Sequence, residues 1–440
     1  MSFEQIKLGN VIRHRKGFIT IDDNKEYKLC RVQLHRRGVV SREVVKGSAI
    51  RTKKQQVCKA GDFLVAEMDA KVGGYGFVPN ELDGAIVSSH YFLFELDESK
   101  IRPKYLEVIS QLQILQNQIK AVGSTNYAAI RPANVLNWDI PITNINKQKK
   151  IEELFDSTRA IGNELSTEFS NQQDLLTQLR QSFLREAMQG KLVKQDPKDG
   201  HAKDLLDKIK AEKEMLIAEK KVKRGKLQDA EGLDELLFPI PENWEWCKLD
   251  DICFNITDGT HQTPTYTTNG RIFLSAQNVK PFRFMPEEHK FVSEKAYQDY
   301  IKNRTPEKGD LLVARVGAGI GETAVIDRDI EFCFYVSLGL VQPFKKYINS
   351  DYLAFVLNSP YGVRYAKGNI SSKGGSAGNF NLGRIRSFMI PLPPFKEQER
   401  IVTKLNVLMK LCDELQQSIN VSREQNDALL QQVLKEALLN

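Results

Sequence analysis

The chain says nearly the same thing twice. The stretch IPLPPFKEQERIVTKL at residues 390–405 has a worn counterpart, IPITNINKQKKIEELF, at residues 140–155, an offset of 250. GDLLVARVGAGIGE at 309–322 matches GDFLVAEMDAKVGG at 61–74, offset 248, and INSDYLAFV at 348–356 matches IRPKYLEVI at 101–109, offset 247. WEWCKLDDIC at 244–253 echoes FEQIKLGNVI at 3–12, offset 241, and QVLKEAL at 432–438 echoes SFLREAM at 182–188, offset 250. Matches in one order at a nearly constant offset mean two copies of a unit of about 190 residues, joined by a middle segment. A chain of 440 residues is also too long for a single compact core.

Each copy opens strand-like and closes helical. GDLLVARVG is a short apolar run bounded by glycines, and FCFYVSLGLVQPF is aromatic and β-branched. DYLAFVLNS and KYLEVISQLQILQNQI have helical spacing, as has the long segment that ends each copy. The first long helix carries a narrow apolar stripe through Ile151, Phe155, Thr158, Ile161, Leu165, Phe169, Gln172, Leu176, Leu179 and Phe183. The second carries one through Ile401, Leu405, Leu408, Cys412, Leu415, Ile419, Ser422, Asn426, Leu429, Val433 and Ala437. So narrow a stripe predicts coiled-coil pairing, with the polar Asn426 fixing register. A helix of about 45 residues is a rod of roughly 65 Å. The prolines of IPLPP cannot sit inside a helix or a central strand, so they form a stiff extended lead into the rod. After the first rod the chain breaks at Gly190 and Pro197, restarts as a helix near Ala202 and passes through a basic linker around Lys220 and Lys226.

The charge is uneven. The first sixty residues hold fifteen Lys or Arg against five Asp or Glu, which suits a polyanionic partner as well as a solvated surface. No run approaches eighteen apolar residues, so no membrane span is expected, and the N-terminus has no apolar core of a secretion signal. Cys30, Cys58, Cys247, Cys253, Cys333 and Cys412 are scattered without a CxxC pair, the pattern of unpaired thiols in a reducing cytoplasm.

Catalytic patterns fail on inspection. In ARVGAGIGETA the residue after Gly321 is Glu322, where a phosphate loop needs lysine, and Gly317, Gly319 and Gly321 merely alternate. LPPF has Leu392 where an amino-methyltransferase motif needs a polar residue to hold the amine. The six histidines show no metal-ligand spacing, and no nucleophile stands beside a base. What is left is recognition. Two unlike heads on paired antiparallel rods, related by a pseudo-twofold axis, can each reach a groove of one duplex. Half-sites one helical turn apart lie roughly 34–36 Å from each other, within reach of such a rod.

At this point the chain resembles the specificity subunit of a type I restriction–modification system. The resemblance covers nearly the whole chain and is carried by IPLPPFKEQERIV, GKLVKQDP with LLDKIKAEKEMLI, IPENWEWCKLDDI, NITDGTH, GDLLVARVGAGIGETAV and YLAFVLNSP. The first copy departs from it by losing the paired prolines. The resemblance implies an α+β chain with two target recognition domains, each built on a twisted, mostly antiparallel sheet. Residues 1–139 would be the first domain, 140–226 the first spacer helix and connector, 227–389 the second domain and 390–440 the second spacer helix. It implies a non-catalytic cytoplasmic chain, acting in phage defence, that reads a bipartite site in double-stranded DNA. Its partners would be two methyltransferase subunits and, through them, restriction subunits. S-adenosylmethionine, ATP and Mg would belong to those partners, with no cofactor in this chain. Groove edges are read by Arg, Lys, Asn, Gln and Thr, and phosphates are held by Lys, Arg and backbone amides. On that chemistry the candidate DNA-binding residues are Arg13, Arg15, Lys16, Arg36, Arg37, Lys53, Lys71, Tyr75 and Lys120 in the first head. In the second they are Thr257, Asp258, Thr260, His261, Lys367, Ser371, Lys373 and Asn379. Each has an ordinary surface-charge role as its alternative. Two other classes stay open: a coiled-coil scaffold that binds protein partners, and an enzyme acting alone.

Overall fold

The computed structural model describes residues 3–119, 129–222, 225–228, 237–302, 304–370 and 378–439. The chain forms two compact units, Met1–Asn171 with Ile419–Asn440, and Gln172–Ser418. The division falls inside both long helices, Ile145–Met188 and Phe395–Leu439. The expected boundaries at 139/140 and 389/390 separate heads from helices; packing instead leaves each head with one end of each helix.

In the first unit a two-stranded ribbon pairs Glu4–Lys7 with Asp139–Ile142. A four-stranded antiparallel sheet follows in the order Ile12–Arg15, Tyr91–Leu96, Phe63–Ala66, Tyr75–Phe77. A five-stranded sheet adds Phe18–Thr20, Lys54–Val57, Ile86–Val87, Glu26–Val32 and Val39–Lys46, with one parallel contact. The second unit repeats the plan. Glu245–Lys248 pairs with Met389–Leu392, and a four-stranded sheet runs Cys253–Asp258, Leu338–Pro343, Leu311–Ala314, Thr323–Val325. A three-stranded sheet of Lys290–Val292, Arg271–Leu274 and Phe332–Phe334 stands beside it. The glycine-rich stretch between Ala314 and Thr323 is a hairpin turn joining antiparallel strands.

The duplicated residues perform duplicated tasks. Pro141 faces Gln5, and Pro391 faces Trp246, in ribbons of only two strands, where a missing N–H is tolerated. The buried Tyr105 donates its hydroxyl to Pro141 O at 2.9 Å, and the buried Tyr352 does the same to Pro391 O. Gln148 and Gln398, both fully buried, lock each rod to its head. Gln148 Oε1 accepts from Arg102 N at 2.9 Å, and Gln148 Nε2 donates to Thr143 O at 2.8 Å. Gln398 Oε1 accepts from Asn349 N at 2.9 Å, and Gln398 Nε2 donates to Pro393 O at 3.0 Å. The reading of residues 104–119 as one helix is shortened: it ends at Gln111, with a single 3-10 turn at Gln116–Gln118.

Each head's core takes the start of one rod and the end of the other. Ile151, Phe155 and Leu438 join Tyr105 and Trp138 in the first unit. Leu184, Ala187 and Met188 join Ile401, Val402 and Leu405 in the second. The helix Ala202–Ala218 packs its Ala202 and Ile209 into that same core. The rods run antiparallel within each unit. In the first, Asn426 Nδ2 donates to Gly162 O at 3.3 Å, and Arg423 donates to Ser170 Oγ at 3.2 Å. In the second, Arg180 pairs with Asp413 at 2.7 Å.

The seam differs in phase from the expected stripe. Buried or half-buried positions repeat every seven residues through Phe155, Gly162, Phe169, Leu176 and Phe183, and through Leu405, Cys412, Ile419, Asn426 and Val433. Ile161, Leu165, Leu179, Leu415 and Leu429 stand outside it, between 39% and 59% exposed. A strict seven-residue repeat carries the seam through Gly162 rather than its apolar neighbour Ile161. All six cysteines are buried and unpaired, with Cys30 and Cys58 sulfurs 3.7 Å apart.

Candidate nucleic-acid interface

In the first unit one loop is pinned onto another. His35 and Arg36 adopt left-handed backbone, φ 59° and 62°, which turns the chain back along residues 72–73. His35 N donates to Val72 O at 2.8 Å, and Arg36 N to Gly73 O at 3.0 Å. A Cβ on Gly73 would lie 2.9 Å from Arg36 N, so the close approach needs glycine there. Arg36 Nη1 donates to Gln116 Oε1 at 2.6 Å, and Gln116 Nε2 donates to Lys71 O at 3.3 Å. Arg36 and Lys71 are thereby brought together, with Arg37 exposed beside them.

Other first-head candidates are committed to the fold. Arg15 is bound to Asp62, which is 3% exposed, and also donates to Val57 O at 2.8 Å. Tyr75 is buried between Phe63 and Trp138; burial pushes its hydroxyl pKa up, and that hydroxyl has no partner among the described residues. Lys53 reaches Asp23 and donates to Gly47 O at 2.9 Å. Arg13 pairs with Glu95 at the surface, 2.9 Å, while Lys16 is exposed. Lys120 lies outside the described residues, as do Ser371 and Lys373 of the second head.

In the second unit the motif NITDGTH is tied down from below. Arg315, 4% exposed, donates to Asp258 Oδ2 at 2.5 Å, to Val336 O at 2.9 Å and to Phe380 O at 3.0 Å. Burial lowers the Arg315 pKa, and Asp258 opposes that by holding the charge. His261, 71% exposed at its side chain, reaches the same carboxylate at 3.2 Å. Thr260 is buried and pairs with Tyr335 through backbone, so it is a frame residue. Gly259 is required because a Cβ would collide with Phe334 O. Asn379 bridges to Val316 and has an unpartnered buried Oδ1 among the described residues. Lys367 is exposed in the last turn of Pro360–Gly368. Thr257 lines a basic cleft of about 730 Å³ whose walls include Lys220, Lys221, Lys226, Lys302, Arg304 and Arg386.

The sequence reading missed Arg304 and Arg386, which are isolated in sequence and gathered only by folding. It also missed Arg315 and its counterpart Glu67, although the repeat shows them as a charge reversal between GDLLVAR and GDFLVAE. Among the described residues no group of three or more His, Cys, Asp or Glu could hold a metal ion. No described helix is long and apolar enough to cross a membrane.

Residues 241–422, most of the second unit, match the family model described as type I restriction modification DNA specificity domain. That match falls on the second copy. The chain is 26% identical over 309 residues to the type I restriction enzyme EcoEI specificity subunit of Escherichia coli, covering 68% of this chain and 51% of that protein. It is 29% identical over 288 residues to the EcoAI specificity subunit of the same organism, covering 59% and 44%. The chain thus spans about half the length of the curated relatives it matches. Two solved structures share the fold. One comes from work on complex assembly and conformational transition of the type I R-M system, with TM-score 0.69 and 18% identity, covering 99% of this chain and 97% of that one. The other is the HsdS subunit of Thermoanaerobacter tengcongensis, with TM-score 0.54 and 18% identity, covering 100% and 97%. These likenesses agree with the expected α+β fold.

Proposed function

We propose that this chain is the DNA-reading subunit of a type I restriction–modification complex and carries no chemistry of its own. Each head reads one half of a bipartite site, and the paired helices set the gap. Adenine methylation and restriction belong to partner chains: two methyltransferase subunits that hold S-adenosylmethionine, and restriction subunits that use ATP and Mg. The observation that carries this reading is one frame built twice under unlike surfaces. The clasp of Tyr105 and Gln148 is repeated by Tyr352 and Gln398, while the loops above differ in residue and charge. A repeated frame with different surfaces suits two readers of different sequences. Basic side chains around Arg36, Lys71 and the Arg304–Arg386 cleft suit a phosphate backbone.

The test is to express the chain with its methyltransferase partner and sequence the methylated bases. The expected result is methylation only at a two-part site with a fixed unspecified gap, and none from either chain alone. A single uninterrupted site, or turnover by this chain alone, would contradict the proposal.

A further inference from the structure

Three backbone hydrogen bonds recur at matching places in the two heads. Ala66 N donates to Gly74 O at 2.8 Å, as Ala314 N does to Glu322 O at 2.8 Å. Glu67 N donates to His90 O at 2.9 Å, as Arg315 N does to Ser337 O at 2.8 Å. Ile130 N donates to Glu67 O at 3.0 Å, as Phe380 N does to Arg315 O at 2.9 Å. Glu67 and Arg315 therefore occupy one node of the duplicated frame with opposite charge. Both are nearly buried, at 9% and 4% exposure.

The sign of the node decides what it can present. The Arg315 guanidinium is consumed by Asp258 and two carbonyls, and among the described residues the exposed side chain that reaches that carboxylate is His261. The Glu67 carboxylate does the reverse. Its Oε1 accepts from Arg131 Nη1 at 2.8 Å, and its Oε2 meets His90 Nδ1 at 2.8 Å. Those two side chains are 73% and 74% exposed, so a nearly buried anion holds a largely exposed guanidinium. A guanidinium fixed at one nitrogen loses less freedom on forming a two-pronged contact, and its fork matches the O6 and N7 acceptors of guanine.

We propose that Arg131, aimed by Glu67, is a specificity-determining residue of the first head and reads a guanine edge in one half-site. Glu67 is its positioning residue. The inference rests on the chain being a two-headed DNA reader. It also gives a reason for unlike half-sites, since in the second head the position matching Arg131 is Asn381, which caps a short helix.

The test uses the full chain in complex with its methyltransferase partner, with methylated bases sequenced for wild type, Arg131→Ala, Arg131→Lys, Glu67→Gln and Glu67→Asp. Arg131→Ala should relax base preference by about tenfold at one or two positions of a single half-site, leaving the other half-site and the gap unchanged. Arg131→Lys keeps the charge at an exposed position and should show the same local loss with non-specific DNA binding retained. Glu67→Gln should relax the same positions although Arg131 is present, and Glu67→Asp should restore part of the preference, which a merely structural role would not produce. A bipartite wild-type site with Arg131→Ala and Arg131→Lys preferences unchanged overturns this inference alone. A wild type without a bipartite site overturns the functional reading and the inference with it.

Discussion

Arg15 and Arg37 lie in the same basic stretch, and composition treats them alike. Their surroundings do not. Arg15 satisfies a buried Asp62, which also accepts from Lys59 N at 2.7 Å. Arg15→Met would strand that carboxylate and should cost about 3–5 kcal/mol in a denaturant titration. Arg37→Ala should leave the unfolding midpoint nearly unchanged; under the proposed function it should weaken DNA binding and lower the slope of log affinity against log salt by about one. Nothing in the spelling of RHRK or HRR separates these cases, because the separating fact is a partner 47 residues away in sequence. His14 adds a pH dependence. It sits against Phe92 and Phe94, and burial first, then Lys16, lowers its pKa. The unfolded chain binds that proton first, so stability is present above about pH 6.5 and falls as pH drops through the folded value. A series of melting temperatures from pH 7.5 to 5 should show this decline, and His14→Phe should flatten it.

At the scale of elements, the helices were legible as helices and the seam was legible only in part. Of the residues picked by apolar spacing, Phe155, Phe169, Leu176, Leu405 and Cys412 are buried or half-buried. That spacing prefers Ile161 to Gly162, because hydrophobicity is visible in a sequence and helix phase against a partner is not. Gly162 is the more testable position. A Cβ there would meet the Asn426 side chain at 3.9 Å, an ordinary contact. Gly162→Ala should therefore stabilise the paired helices by about 0.5–1 kcal/mol, read as a raised melting temperature. The repeated glutamines make the opposite prediction. Gln398→Leu leaves the Asn349 N–H without its acceptor at the junction of rod and head, and should cost about 1–3 kcal/mol by denaturant titration. Gln148→Leu should do the same at Arg102 N.

At the scale of the whole molecule, duplication was the part most open to a reader of the sequence. Alignments at offsets of 241 to 250 residues locate the ribbons, the GD hairpins, the clamping tyrosines and the rods. The candidate interface was less open, since the residues proposed to organise it, Glu67 and Arg315, are where the copies disagree. The claim that the rods set the distance between half-sites is tested by removing one seven-residue repeat from each, residues 163–169 and 419–425. These segments face each other across the antiparallel seam, on the same side of the Gly162–Asn426 contact, so the seam closes again in phase. With the methyltransferase partner present, the methylated site should keep both half-sites and lose about one to three base pairs of gap; the upper figure is seven residues at 1.5 Å against 3.4 Å per base pair. Altered half-sites, or a gap of unchanged length, would contradict the account.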